Sequence, residues 1–424
     1  MIKTISILPG VTLRCARVDR FKQGCLSFQI VRPMSREEAG MNALSPAILL
    51  RGTKKHPDLR SITLRLDDLY GASIGTQVRR IGDYQTTGLY CGFVEDRFAM
   101  AGDRILAPMM DFLREILLEP VMEGEGFSRS FVESEKKNLI ATIESDLNDK
   151  RVYAMNRLLR TMCRADAMGI PRLGEASRVA AVEPKTLYDH YRRTLRESRI
   201  DICYVGSAPA WQVANLLRPI IAALDRNYVA LPHQTSFRDA GGSDVAEEMD
   251  VTQAKLCMGY TTPITMGHPQ FAAMQMANTI FGSGMTSKLF MHVREKLSLC
   301  YSIGTTYYGA KGLMTLSAGI DAAKEEEAKA EIAAQLEAVC RGEITEHEMA
   351  AAREAVLSGL RGIHDSPGAI ENYYASAALS GLTWTPAEYM ERIAAVTAEE
   401  VAQAARTLKL HTTYILKGDS HEED

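Results

Sequence analysis

A tetrapeptide recurs half a chain apart. Ser73-Ile74-Gly75-Thr76 returns as Ser302-Ile303-Gly304-Thr305, 229 residues from 73 to 302 in a chain of 424. A helix-like stretch precedes each copy, Leu64 to Tyr70 in one and Leu289 to Leu297 in the other. Two strand-like runs follow each, ending near Gly92 and near Gly319. An echo of that length means two copies of one domain. A chain of this size also exceeds one ordinary core and suits two.

The surrounding pattern predicts the fold class. Residues 12–20 and 25–31 read as strands, with Cys25-Leu26-Ser27-Phe28-Gln29-Ile30-Val31 mixing alternation with β-branched and aromatic residues. Helical patterns follow over 36–51, interrupted at Pro46, and from Asp58 to Tyr70. Strands are expected at 72–80 and 84–94, then mostly helix to 164. A helix around 184–195, a strand at 200–205 and a helix over 208–225 close the first half. Strands at 250–260 and 300–319, helices at 269–281, 287–297 and 323–409, and a strand at 412–416 repeat the plan. Strand runs followed by helix blocks imply an α+β protein of two homologous domains. Each is expected to be a mainly antiparallel sheet with helices packed on one face. The expected boundaries are 1–228 and 249–424. The linker is 229–248, where periodicity is lost and Ala240-Gly241-Gly242-Ser243 is small and polar.

Composition removes several function classes. Net charge is −4, with no clustered basic face for nucleic acid or an anionic membrane. No run approaches the ~18 apolar residues of a membrane span. The first ten residues lack the apolar core of a signal peptide. Eight scattered cysteines, none in Cys-x-x-Cys, read as reduced core residues. A cytoplasmic protein is expected. The tail from Gly418 to Asp424 is acidic and reads as loose.

Several chemical motifs are excluded by context. Gly71-Ala72-Ser73-Ile74-Gly75 matches the nucleophile elbow of serine hydrolases, but that elbow runs strand, turn, helix, and here the order is reversed. Gly282-Ser283-Gly284 lacks the third glycine and the preceding strand of a dinucleotide loop. It reads as the stop of the helix at Phe281. The nine histidines include His56, His190, His233 and His421, and no two lie three or four apart, so no helix offers a pair of imidazoles to a metal.

Arg294 and Tyr301 are the better candidates. A turn between helix and strand brings both toward one cleft. A guanidinium forks onto a carbonyl and a phenol donates one directed hydrogen bond, which suits a peptide backbone or an oxyanion.

Arg294-Glu295-Lys296-Leu297-Ser298-Leu299-Cys300-Tyr301 resembles the Arg-Glu-x-x-Gly-Leu-x-Tyr signature in the second domain of the insulinase/pitrilysin family, proteases with an inverted zinc motif. Phe281 to Phe290 is similar to the family's glycine-rich lead-in, and Ser298 departs from the usual glycine. Arg51-Gly52-Thr53-Lys54-Lys55-His56-Pro57 resembles the segment after the family's zinc helix. The resemblance places the His-x-x-Glu-His positions on Ala43, Leu44, Ser45, Pro46 and Ala47, so both imidazoles and the glutamate are missing. It also makes Glu133, or Glu135 after a shift, the remnant of the third zinc ligand. One carboxylate cannot hold zinc. The resemblance implies a non-zinc-binding subunit of a two-chain protease, with no cofactor of its own and zinc in the partner. Arg294 and Tyr301 would then grip a peptide substrate in trans. The expected partner is a zinc-bearing homologous subunit, or a second copy in a self-dimer. The alternative is a non-catalytic peptide-binding or scaffold protein of the same fold.

Overall fold

The computed structural model describes residues 2–146, 148–230 and 236–418. His233, His421 and the acidic tail from Asp419 lie outside the described residues. In the first half the strands are β1 (Ile2–Leu8), β2 (Val11–Arg17), β3 (Gln23–Pro33), β4 (Ser73–Ile81), β5 (Tyr84–Val94), the short pair β6 (Met122–Glu123) and β7 (Gly126–Phe127), and β8 (Arg199–Gly206). The helices are α1 (Ala39–Leu49), α2 (Leu59–Asp68), α3 (Leu106–Leu118), α4 (Arg129–Ser145), α5 (Lys150–Met162), α6 (Ala176–Ala180), α7 (Pro184–Glu197) and α8 (Ala210–Ala222). The second half has β9 (Ser243–Glu248), β10 (Ala254–Thr261), β11 (Cys300–Tyr308), β12 (Leu313–Ile320) and β13 (Lys409–Lys417). Its helices are α9 (Phe271–Phe281), α10 (Glu325–Arg341), α11 (Glu346–Gly362), α12 (Pro367–Ser380), α13 (Pro386–Ala395) and α14 (Ala398–Ala405).

The repeat is visible strand by strand. One sheet has the order β1-β2-β8-β3-β5-β4, the other β11-β12-β10-β13-β9. Read from the edges that carry the tetrapeptides, β4-β5-β3-β8-β2 and β11-β12-β10-β13-β9 are the same arrangement. Both sheets are antiparallel except at one pair, β2 with β8 and β9 with β13. The tetrapeptides keep register too: Ser73 faces Gly92 on β5, and Ser302 faces Gly319 on β12. The protein is therefore α+β, as the alternation implies.

Four strands were not expected, among them the short β6 and β7. β1 lies at the start, and β9 occupies the last six residues of the stretch read as linker. β9 is half-buried on alternate residues only. Its exposed side carries Asp244 and Glu248, which mask a strand in a sequence search. Pro46, expected to interrupt its helix, instead lies inside α1. All eight cysteines are free, and seven are buried.

The chain folds into two compact units, and each takes a helix segment from the opposite half of the sequence. One unit comprises Met1–Glu144, Ile170–Gln234 and His364–Ala377; the other comprises Ser145–Gly169, Thr235–Ile363 and Ala378–Asp424. In the first unit, Leu26, Phe28 and Ile30 of β3 turn one face toward Leu44 and Ile48 of α1, Phe112 and Ile116 of α3, and Leu187 and Tyr191 of α7. Burial of that apolar face is the main term holding the unit together. Glu371 of α12 is fully buried and takes a forked pair of hydrogen bonds from Arg79 of β4, at 2.7 and 3.1 Å.

In the second unit, α5 covers the face of β10 and β13 that carries Cys257 and Tyr414, using Ala154 and Leu158. Glu247 of β9 fixes it there, accepting from Tyr153 Oη (2.5 Å), Arg157 Nε (2.9 Å) and Tyr414 Oη (2.8 Å). Helices thus lie on both faces of this sheet, the α5 face being an addition to the expected single layer. Close approach needs Gly259, because a Cβ there would stand 2.4 Å from Met162 Sδ. Gly259→Leu is expected to lower stability by about 2 kcal/mol through overpacking against α5, read as a drop in the denaturant midpoint at unchanged m-value.

Candidate functional site

The segment carrying Arg294 is Leu289–Lys296, and it is a π-helix. Runs of this wide turn are rare and concentrate at functional sites. Its start is anchored. Ser287 Oγ donates to Gly284 O at 2.7 Å, and the buried Lys288 ammonium pairs with Glu348 of α11 at 2.8 Å. The loop before it is held against β11: Thr305 N donates to Gly282 O at 3.1 Å, and a Cβ on Gly282 would reach within 2.5 Å of Thr305 Cγ2. Gly282 also caps α9. That glycine serves backbone packing at a helix end, as expected.

The π-helix ends in a left-handed residue. Ser298 has φ of 51°, and Leu299 N reaches back to Val293 O at 2.9 Å. This is the position where the family signature carries glycine, and the backbone explains it: a residue without Cβ adopts positive φ at no steric cost. The first half closes α2 similarly. Tyr70 and Gly71 have φ of 63° and 68°, and Ala72 N reaches Leu66 O at 3.0 Å. Ser73 then opens β4 directly after helix and turn, which is the reverse of a nucleophile elbow.

The two copies diverge just after the turn. Ala72 leads straight into Ser73, whereas Cys300 and Tyr301 stand between Leu299 and Ser302. In the ladder, Cys300 faces Ile320 and Ser302 faces Gly319, so Tyr301 has no partner and forms a β-bulge. A bulge re-aims the side chain it carries and is common beside active sites. Tyr301 is 77% exposed, a large aromatic turned to solvent, and its phenol makes no hydrogen bond among the described residues. Arg294 lies over the Phe290 ring, its Cζ 4.5 Å from the centroid. Its ion pair with the adjacent Glu295 is long, 3.6 Å, and its side chain is 37% exposed. Stacking orients the guanidinium while leaving its donors open to a ligand. The sequence signal for the bulge was present, as the two residues added between turn and tetrapeptide.

The zinc-helix positions are packed. Ala43, Leu44, Ser45 and Pro46 are buried in α1, and Ala47 is half-buried. Ser45 Oγ turns back to Met41 O at 2.8 Å. Where the resemblance implies a glutamate there is a pyrrolidine, which can neither ligate a metal nor hold a proton. Glu133 on α4 is half-exposed and pairs with Lys136 at 3.0 Å. Glu135 pairs with Arg51 at 3.3 Å. Both carboxylates are neutralised by cations. Among the described residues, no group of three His, Cys, Asp or Glu is placed to hold a metal ion. Nor is any helix long and apolar enough to cross a membrane.

His190, packed against α1, has a structural role. His190 Nε2 contacts Asn42 Oδ1 at 2.7 Å, and Asn42 Nδ2 donates to Gln85 Oε1 at 2.9 Å. Burial holds its imidazole down at about 4, helped by Arg193 and Arg32 and opposed by Glu38.

The chain is similar to several known proteins. Residues 181–356 match the family model described as "Peptidase M16 inactive domain". A Bacillus subtilis (strain 168) protein described as "Probable inactive metalloprotease YmfF" is 28% identical over 409 residues, 96% of each chain. An "Uncharacterized zinc protease" of Mycobacterium tuberculosis (strain ATCC 25618 / H37Rv) is 25% identical, over 65% of this chain and 64% of its own. The crystal structure of a conserved protein from Enterococcus faecalis V583 superposes with a TM-score of 0.92 at 26% identity, covering all of both chains. A peptidase M16 inactive domain from Pseudomonas fluorescens shares the fold, with a TM-score of 0.80, 16% identity and 98% coverage of each chain. The chain is thus similar to a protein described as a probable inactive metalloprotease and shares the fold of an M16 inactive domain.

Two outcomes follow. Ser298→Gly is expected to stabilise the chain by about 1 kcal/mol by relieving the positive-φ cost, seen as a higher melting temperature. His190 stays neutral when folded but takes a proton when unfolded, so its contribution is whole above about 6.5 and is lost as pH falls toward about 4. That loss is on the order of 3 kcal/mol; wild type should lose stability against His190→Gln between pH 7 and 4.5 in paired thermal melts.

Proposed function

We propose that this chain is the zinc-free subunit of a two-chain M16 peptidase, lending Arg294 and Tyr301 to a substrate held at the zinc of a homologous partner. The observation that carries this reading is the contrast between the two halves. The first half has spent its inherited zinc positions on packing, with Pro46 buried in α1. The second half keeps a bulged, exposed Tyr301 and a stacked Arg294 with open donors. An idle site would have no reason to keep a large phenol in water and a helix in the π form.

The division of chemistry follows from the residues. The partner would supply the Lewis acid and the general base. Arg294 would fork onto a peptide carbonyl, and the Tyr301 phenol would donate to the oxygen that gains charge as the peptide bond is attacked. Kinetics on the mixed complex with a zinc-bearing M16 relative provide the test. Arg294→Ala and Tyr301→Phe should each lower kcat/KM by about 10²-fold, with zinc content unchanged. Unaltered cleavage in Arg294→Ala would sink the trans role. Stoichiometric zinc and chelator-sensitive hydrolysis in the isolated chain would sink the assignment of the zinc to a partner.

A further inference from the structure

At one end of the first sheet the fold gathers cations that lie far apart in the sequence. The ends of β2, β5 and β8 and the start of β3 meet there. A half-open cavity of about 270 Å³ lies among the segments that follow β5 and β8, with Phe93, Leu106 and Pro209 as apolar wall and Ser207, Arg97 and Arg104 as polar wall. The β2–β3 turn adjoins it. Arg17 Nε donates to Ser207 O at 3.3 Å, and Arg97 Nη2 donates to Phe21 O at 3.3 Å.

Charge at this end is lopsided. Within residues 17–22, 95–104 and 207–212, the exposed charged side chains are Arg17, Arg20, Lys22, Arg97 and Arg104 against Asp19 and Asp103. The two other acids there serve protein donors. Glu95 is buried and accepts from Ser207 N at 2.9 Å and Tyr204 Oη at 3.3 Å. Asp96 Oδ1 accepts from Ile105 N at 2.7 Å and Leu106 N at 2.9 Å, and its other oxygen is 3.9 Å from the exposed Arg104. A chain of net charge −4 thus turns a cationic end to solvent.

The same segments keep large apolar side chains in water. Met100 is 76% exposed, Trp211 64% and Phe98 45%. Cations and rings are interleaved: Arg97 lies over Phe98 at 4.7 Å and Arg20 over Phe21 at 4.8 Å. Apolar side chains left exposed together forgo the gain of burial and mark an interaction surface.

We propose that this end of the first unit docks on a membrane surface rich in anionic lipid. Trp211, Phe98 and Met100 enter the interfacial layer, while the five cations meet lipid phosphates. Aromatic rings settle at headgroup level, and each Lys or Arg near the surface adds attraction to anionic lipid. The cavity beside Arg97 and Arg104 takes one headgroup phosphate, onto which a guanidinium forks. Met100 favours lipid over nucleic acid: it has no ring to stack on a base, and an acyl layer accepts it. None of these residues belongs to the Arg294–Tyr301 site, so the two readings stand or fall separately.

The test sediments the full-length chain with vesicles of phosphatidylcholine, or of phosphatidylcholine mixed with phosphatidylglycerol. Binding to the mixed vesicles should be about tenfold or more tighter and should weaken as salt is raised. Tryptophan emission should shift to the blue on binding. The shift should vanish in Trp211→Ser, because the other tryptophan, Trp384, is packed against Phe271 and Tyr389. The double variant Arg97→Gln with Arg104→Gln should bind mixed vesicles about tenfold more weakly, and so should Met100→Ser with Trp211→Ser. Both should melt near wild type, and Arg294→Ala should bind vesicles like wild type. No vesicle binding, no blue shift, or undiminished binding by either double variant would overturn the proposal. Saturation of the Trp211 signal by soluble glycerol phosphate, without vesicle binding, would make the cavity a small-anion site and overturn it too. So would capture of single-stranded oligothymidine in place of vesicles. Should a double variant not fold, the lipid comparison and the Trp211 shift decide.

Discussion

A helix that ends in a left-handed residue and hands the chain to an edge strand is the constraint on which both halves are built. The turn fixes where each edge strand starts, and the strand fixes the register of its sheet. Leu66 O and Val293 O close the two turns by the same backward hydrogen bond, at 3.0 and 2.9 Å. From there the β4 and β11 tetrapeptides enter equivalent ladders. Conformation at two or three residues thus propagates into the placement of a whole sheet, because one step of slippage would move every side chain to the opposite face.

The halves have diverged around that shared geometry. The first has become a packed module, with α1 closed by Pro46 and by the Asn42–His190–Gln85 network. Glu133 and Glu135 of α4 answer to Lys136 and Arg51. The second half went the other way. Extra residues at Cys300 and Tyr301 turned a regular strand start into a bulge, and Ser298 tolerates a conformation that glycine would adopt more cheaply. A site on that structure depends on backbone shape as much as on side-chain identity.

Much of this was legible in the sequence. Alternation revealed the central strands, whose two faces differ in polarity, and the offset of the tetrapeptides revealed the duplication. β9 was hidden because half its residues are charged, with Asp244 and Glu248 facing water and Glu247 turned inward to α5. The placement of α5 was hidden because its partner, the Cys257 face of β10, lies about a hundred residues later, and no local pattern reports so distant a pairing. Arg294 and Tyr301 stood out through their signature, but the π-helix and the bulge that aim them arise from register. Ser298 was noticed as an oddity, and its positive φ supplies the cause.

The crossing of helix segments between halves bears on how such a molecule is made. α5 leaves the ribosome long before β10 and β13, the strands it covers, exist. Glu371, the buried partner of Arg79, is added near the end of synthesis. Until then Arg79 lacks its counterion, and the apolar stripe of α5 has no sheet to lie on. A protein built by doubling a domain therefore matures in one step, and a nascent chain halted midway holds two unfinished modules.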